Sequence, residues 1–167
     1  LKDEGLKGWW NKLKVFDIDL GEPFLYIDLD VVIQQDLTPF MEYKPELDFC
    51  GIENFSPRAK QINSSVMRIN PNTLHFDTKE LRFEPAGTEV WNRWGQTKGF
   101  IGDQELISHT LFPNGEYHDS IFPKEWVGSY KYNAKKKNEK NKIVAFHGKP
   151  KPHETNKVKE WIRELWQ

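Results

Sequence analysis

Three segments of the chain carry apolar residues at the spacing of an amphipathic helix. The first covers residues 6–16, with Leu6, Trp9, Trp10, Leu13 and Phe16 on one face. The second, DQELISHTL, begins at Asp103, a residue type that suits a helix N-cap. The third closes the chain and places apolar residues at Val158, Trp161, Ile162, Leu165 and Trp166. We also expect a short helix near Val90–Trp94.

Short apolar runs between these helices predict strands that are covered on both faces. Such runs occur before Asp28 (FLYI), at residues 48–52 (DFCGI), at residues 65–69 (SVMRI) and at residues 142–147 (KIVAFH). Strands that are apolar throughout are typical of parallel sheets with helices on both faces. The pattern therefore predicts an α/β fold with a mostly parallel sheet.

Composition narrows the class of protein. The chain is 37% hydrophobic and 29% charged, which indicates a globular protein, and we expect one domain over residues 1–167. A net charge of -1 gives no electrostatic reason to expect a nucleic acid partner. The lone Cys50 excludes an internal disulfide and fits a reducing, cytoplasmic location. We expect no transmembrane segment, since no run approaches the roughly 20 apolar residues that one needs.

Asp28 and Asp30 follow the first apolar run and are the first candidates for chemistry. Because they are two residues apart on a predicted strand, their side chains leave the same face. At a separation of about 6–7 Å, their repulsion is on the order of 2.5 kcal/mol for an effective dielectric near 20. A divalent cation would offset this cost, and oxygen ligands suit Mg²⁺ or Mn²⁺.

Two classes of enzyme use such a pair of aspartates. Phosphatases of the haloacid-dehalogenase type carry DxDx(T/V), which the segment Asp28–Val32 matches. Those enzymes also need a later acidic pair, such as GDxxxD. The candidate, Gly102-Asp103, is followed by Ile107 and Ser108 where the second acid belongs, so the second metal arm is missing.

The other class is the glycosyltransferases of the GT-A type. The chain resembles their retaining, family 8-like members, and more closely bacterial and phage proteins with the same blocks. Six blocks match in chain order over nearly the whole chain: Gly8–Lys12, Leu25–Asp30, Asn63–Met67, Gly102–Gln104, Ser129–Lys131 and Phe146–Pro152. The resemblance implies a GT-A-like nucleotide-diphospho-sugar transferase fold. Only about 27 residues precede Asp28, so we expect the N-terminal βα units of that fold to be lacking and the domain to be N-terminally truncated.

The resemblance also implies a site. Asp28, Asp30 and His147 would bind the metal, with the histidine favouring Mn²⁺ over Mg²⁺. Asp103 and Gln104 would act as catalytic residues near the anomeric carbon. The donor would be bound by Lys12, Asp28, Asn63, Ser64, Ser65, Gly148, Lys149 and Lys151. Family 8 spaces its motif as HxxGxxKP, whereas Gly148 follows His147 directly here, so either lysine could grip the diphosphate.

The implied reaction is the metal-dependent transfer of a sugar from a nucleotide-diphosphate donor to an acceptor, with retention of configuration. The alternatives are a Mg²⁺-dependent phosphatase of the haloacid-dehalogenase type and a non-catalytic protein that binds sugar nucleotides. The short stretch before Asp28 has little room for a base pocket. We therefore expect the diphosphate to be recognised better than the base.

Overall fold

The computed structural model describes residues 8–72, 74, 82–83, 90–91, 100 and 102–166. Its strands are β1 (Phe24–Ile27), β2 (Val31–Ile33), β3 (Phe49–Glu53), β4 (Ile62–Ile69), β5 (Arg82–Phe83), β6 (Val90–Trp91), β7 (Val127–Ser129) and β8 (Ile143–Ala145). Its α-helices are α1 (Thr38–Glu42), α2 (Asp103–Leu111) and α3 (Glu160–Leu165). Within the described residues, 3₁₀ helices cover Gly8–Asp17, His118–Ser120 and Lys124–Trp126.

The described strands form three small sheets. The first has the order β1-β4-β3 and the second β2-β8-β7, while β5 and β6 pair with each other. Asp28 and Asp30 lie on the connection between β1 and β2, where the chain passes from the first sheet to the second. The two aspartates are therefore placed by different sheets.

The prediction of a mostly parallel sheet is wrong for the described strands. All pairs in the first sheet are antiparallel, and among the named strands only β7 and β8 pair in parallel. The apolar run in β1 has another cause. Phe24 and Tyr26 pack against one core cluster, and Leu25 and Ile27 pack against a second one on the opposite face. Burial on both faces was thus predicted correctly, but it does not require parallel pairing.

The core of the described part of the chain consists of three clusters around these sheets. The first joins the Gly8–Asp17 helix, the first sheet and α2 through residues such as Trp10, Met67 and Ile107. The second lies between the two larger sheets and includes Phe40 and Cys50. The third packs α3 against the second sheet. The described part of the chain has no helix long and apolar enough to cross a membrane.

Two helix predictions need correction. Val90–Trp91 forms β6 instead of a helix, and residues 92–94 lie outside the described residues. In the first helix, Trp10, Leu13 and Phe16 are buried as predicted, but Trp9 is 54% exposed. The tighter winding of a 3₁₀ helix, three residues per turn, turns Trp9 away from the core. Leu6 lies outside the described residues.

Arg68 anchors the end of α1 and the segment that follows it to the first sheet. It lies on the central strand β4 and is 2% exposed. Its guanidinium donates to the carbonyls of Met41 at 3.2 Å, Lys44 at 2.7 Å and Leu47 at 3.2 Å, and also to that of Tyr43. A planar group with five donors is suited to satisfying several carbonyls at once.

We expect Arg68→Met to lower the free energy of unfolding by about 3 kcal/mol or more, because several part-buried carbonyls would lose their donor. Urea denaturation measures this change. Arg163→Met is the matched control, since Arg163 is exposed and donates to one carbonyl, that of Thr155. Equal stabilities of the two variants would contradict the anchoring role of Arg68.

Candidate active site

Lys12 joins two carboxylates that come from distant parts of the chain. Its Nζ lies 2.9 Å from Asp28 Oδ2 and 3.2 Å from Asp103 Oδ2. The same ammonium donates to Ser64 Oγ at 3.0 Å. The side chains of Lys12, Asp28 and Asp103 are 12%, 18% and 8% exposed, so the group is largely withdrawn from water. Four residues that the sequence had predicted separately thus form one contact group.

The end of β1 positions Asp28. Its N–H donates to the carbonyl of Ser65 at 2.9 Å, which extends the β1–β4 pairing by one residue. Tyr26 lies two positions earlier and donates its hydroxyl to Asp28 Oδ1 at 2.8 Å. Burial and the Asp28 carboxylate hold the pKa of Tyr26 well above its usual value, so the phenol stays a hydrogen-bond donor. The sequence-based prediction missed Tyr26, although the two-residue spacing from Asp28 indicates a shared strand face.

Asp103 does not serve as the predicted N-cap of α2. The N-cap position belongs to Gly102, and Asp103 is the first helical residue. Its carboxylate instead accepts a hydrogen bond from Ser64 Oγ at 2.5 Å and faces Lys12. The neighbouring Gln104 accepts a hydrogen bond from Asn54 Nδ2 at 3.3 Å. The start of α2 therefore directs the Asp103 carboxylate toward the candidates Ser64 and Lys12, whereas Gln104 contacts Asn54.

Three of the predicted donor-binding residues, Asn63, Ser64 and Ser65, lie on β4. The side-chain oxygen of Asn63 accepts a hydrogen bond from the N–H of Ser65 at 2.9 Å. Asn63, Ser64 and Ser65 are all buried. Among the three, Ser64 is the one whose side chain reaches Lys12 and Asp103.

Lys151 forms an ion pair with Asp30. The backbone N–H of Phe146 donates to the carbonyl of Asp30 at 2.9 Å, which ties the chain after β8 to the aspartate pair. Lys149 is exposed, and Gly148 occupies an exposed turn with a φ of 75°. Of the two candidate lysines, Lys151 is the one that contacts the aspartate pair.

His147 contacts two aromatic rings and a serine hydroxyl. Its Nε2 is 2.6 Å from Ser129 Oγ, and its ring stacks on Phe55 with a centroid distance of 5.2 Å. The ring of Tyr132 lies 5.3 Å away on centroids. Burial lowers the pKa of His147, and the positive charge of Lys131 lowers it further. The imidazole is therefore neutral near neutral pH.

The predicted metal ligands are not assembled in this geometry. Within the described residues, no three His, Cys, Asp or Glu side chains are grouped so that they could hold a metal ion. Asp28 contacts Lys12 and Tyr26, Asp30 contacts Lys151, and His147 contacts Ser129. Sequence reasoning gave Ser129 no role, although it opens one of the six matching blocks.

A cleft of about 670 Å³ gives access to the charged groups. Lys12, Asp28, Asp30 and Lys151 line one part of it, and Tyr26 lies among them. Trp9 and Trp166 line the same cleft. Its volume falls in the range of small-molecule sites, roughly 300–1,000 Å³.

The protein has a GT-A-like fold that it shares with solved glycosyltransferases. The glycosyltransferase GlyE of Streptococcus pneumoniae TIGR4 matches 93% of this chain with a TM-score of 0.58 and 16% identity, and 41% of GlyE is covered. A mutant of LgtC matches with a TM-score of 0.51 and 13% identity, over 93% of this chain and 64% of LgtC. The galactosyltransferase LgtC in complex with donor and acceptor sugar analogs matches with a TM-score of 0.50 and 14% identity.

These similarities confirm the predicted fold class, apart from the direction of strand pairing. The chain spans less than two thirds of the length of these structural neighbours. No protein-family model matches the chain, and no curated protein matches its sequence significantly.

We expect Lys12→Met to lower the free energy of unfolding by about 2–4 kcal/mol, because it leaves two largely buried carboxylates without their shared cation. Lys12→Arg should retain most of the stability. Lys140→Met is the control, since Lys140 is exposed. Chemical denaturation of the three variants measures their free energies of unfolding. A loss below about 0.5 kcal/mol for Lys12→Met would show that the ammonium does not hold the carboxylates together.

Proposed function

We propose that the protein is a glycosyltransferase that moves a sugar from a nucleotide-diphosphate donor to an acceptor. The observation that carries this proposal is the Lys12–Asp28–Asp103 group, which adjoins a cleft large enough for such a donor within a GT-A-like fold. The similarity in fold to solved structures supports a glycosyltransferase over the phosphatase alternative, because those structural neighbours are glycosyltransferases.

The charge balance of the site supports metal dependence. Asp28, Asp30 and Asp103 face the two ammonium groups of Lys12 and Lys151, which leaves a net charge of about −1 at neutral pH. A diphosphate brings further negative charge into the same cleft. Additional positive charge is therefore needed for tight binding, and a divalent cation supplies it. The carboxylates of Asp28 and Asp30 fit as ligands, because hard cations such as Mn²⁺ and Mg²⁺ prefer oxygen.

We propose His147 as the third metal ligand, beside Asp28 and Asp30. The neutral imidazole is the metal-binding form, and the lowered pKa maintains that form near neutral pH. Binding through Nε2 would exchange the hydroxyl of Ser129 for the metal. A metal held by these residues would supply positive charge to the diphosphate leaving group.

Other residues of the chain have proposed roles in donor binding, positioning and catalysis. Lys151 can exchange Asp30 for a phosphate oxygen, and Lys12 holds Asp28 and Asp103 in a fixed relation while offering positive charge to the donor. The protonated Tyr26 fixes the orientation of the Asp28 carboxylate. Asp103 and Gln104 are the proposed catalytic residues beside the anomeric carbon. Retention of configuration is part of the proposal and rests on the resemblance of the six sequence blocks.

We expect binding of a nucleoside diphosphate to depend on the metal. Calorimetric titration with uridine diphosphate and Mn²⁺ should lose at least roughly tenfold in affinity, about 1.4 kcal/mol, when a chelator is added or when Asp30 is replaced by asparagine. The control is Asp119→Asn, because Asp119 is fully exposed. Unchanged affinity in both conditions would contradict the metal site.

Asp103→Asn separates catalysis from binding. Because Gly102 is the N-cap, asparagine at 103 leaves the cap intact and keeps the size of the side chain. We expect near-normal donor affinity, because the asparagine oxygen can still accept the hydrogen bond of Ser64. Turnover should fall at least roughly a hundredfold, a barrier increase of about 2.7 kcal/mol, because the proposed catalytic role of the carboxylate lies in the transition state.

Donor affinity and the rate of sugar transfer are measured on the same preparation. Transfer near the wild-type rate by Asp103→Asn would move the catalytic role to Gln104. Tight donor binding by the wild-type protein without any transfer would identify a non-catalytic sugar-nucleotide-binding protein.

A further inference from the structure

The lining of the cleft includes two tryptophans and an exposed leucine. Trp9 is 54% exposed, although its neighbour Trp10 and the nearby Leu13 are fully buried in the core. Trp166 lies half-buried and lines the same cleft. Leu29, between the two aspartates, is 95% exposed and also belongs to the lining. Core packing accounts for Trp10 and Leu13 but not for the position of Trp9.

The same cleft is lined by Lys12, Asp28, Asp30 and Lys151, and we call these four charged residues its charged floor. Exposed apolar residues that are scattered singly are normal, but a group of them in a concave site with charged residues is typical of ligand binding. A ligand that fills this cleft has to present a flat apolar part and a charged part. In a nucleoside diphosphate, the base and the diphosphate are joined through a ribose, so the molecule meets both requirements.

We infer that Trp9 and Trp166 bind the nucleobase of the donor by stacking, while the charged floor of the cleft takes the diphosphate. This inference rests on the proposed function and specifies how its donor is held. An indole ring can stack on any base, because every base presents a π-face. Stacking therefore adds affinity without selecting a base.

The test compares ligands with and without a base. Uridine, adenosine and guanosine diphosphates are titrated into the 167-residue chain with Mn²⁺, and inorganic pyrophosphate serves as the ligand that lacks the base. We expect Trp9→Ala to weaken binding of all three nucleotides about tenfold or more and to leave pyrophosphate affinity unchanged. Trp9→Phe should retain most of the nucleotide affinity. Wild-type affinities for the three nucleotides should lie within roughly tenfold of one another.

Leu20→Ala is the matched control, because Leu20 is exposed to a similar extent and lies outside the cleft lining. An equal loss for pyrophosphate and nucleotides in Trp9→Ala would overturn the inference, since Trp9 would then support the charged floor. A loss seen with a nucleotide-sugar but not with the nucleoside diphosphate would overturn it as well, by assigning Trp9 to the sugar.

The two proposals fail in different ways. If nucleotides bind and require Asp30 but Trp9→Ala changes nothing, the stacking inference is wrong and the donor site stands. If neither nucleotides nor pyrophosphate bind the wild-type chain, the proposed function itself fails.

Discussion

The contact of one ammonium group with two carboxylates determines how the site is built. Lys12 comes from the first helix, Asp28 from the end of β1 and Asp103 from the start of α2, and Ser64 on β4 contacts both Lys12 and Asp103. Removing three charged groups from water is costly unless they compensate one another. The helix, the sheet and α2 are therefore held at the one spacing at which these groups meet. The cleft lies next to this group of contacts, since Lys12 and Asp28 line it.

The sequence indicated the members of this group but not their contacts. Asp28 and Lys12 belong to blocks that were recognisable one by one, and the apolar run before Asp28 correctly placed a strand there. Pairing direction was not predictable from that run. Burial on two faces produces the same apolar composition in an antiparallel strand between two core clusters as in a parallel one.

Exposure was harder to predict than secondary structure. The helical pattern assigned Trp9 to the core, yet the 3₁₀ winding places it at the cleft. The contact of His147 with Ser129 joins a residue that follows β8 to the last residue of its parallel neighbour β7, and a single sequence contains no signal for such a pairing. The role of Asp103 was ambiguous for a different reason. The first turn of a helix favours acidic residues whether or not they have another partner.

The position of the aspartate pair between two sheets has a mechanical consequence. Asp28 continues the edge strand β1 of one sheet, while the carbonyl of Asp30 accepts a hydrogen bond from Phe146, which follows β8 of the other sheet. A ligand held by both carboxylates would span this junction and resist any sliding of one sheet against the other. A bound ligand would then restrict the motion of both sheets. Amide exchange would therefore be slower in β4 and β8 as well, well beyond the residues that the ligand touches.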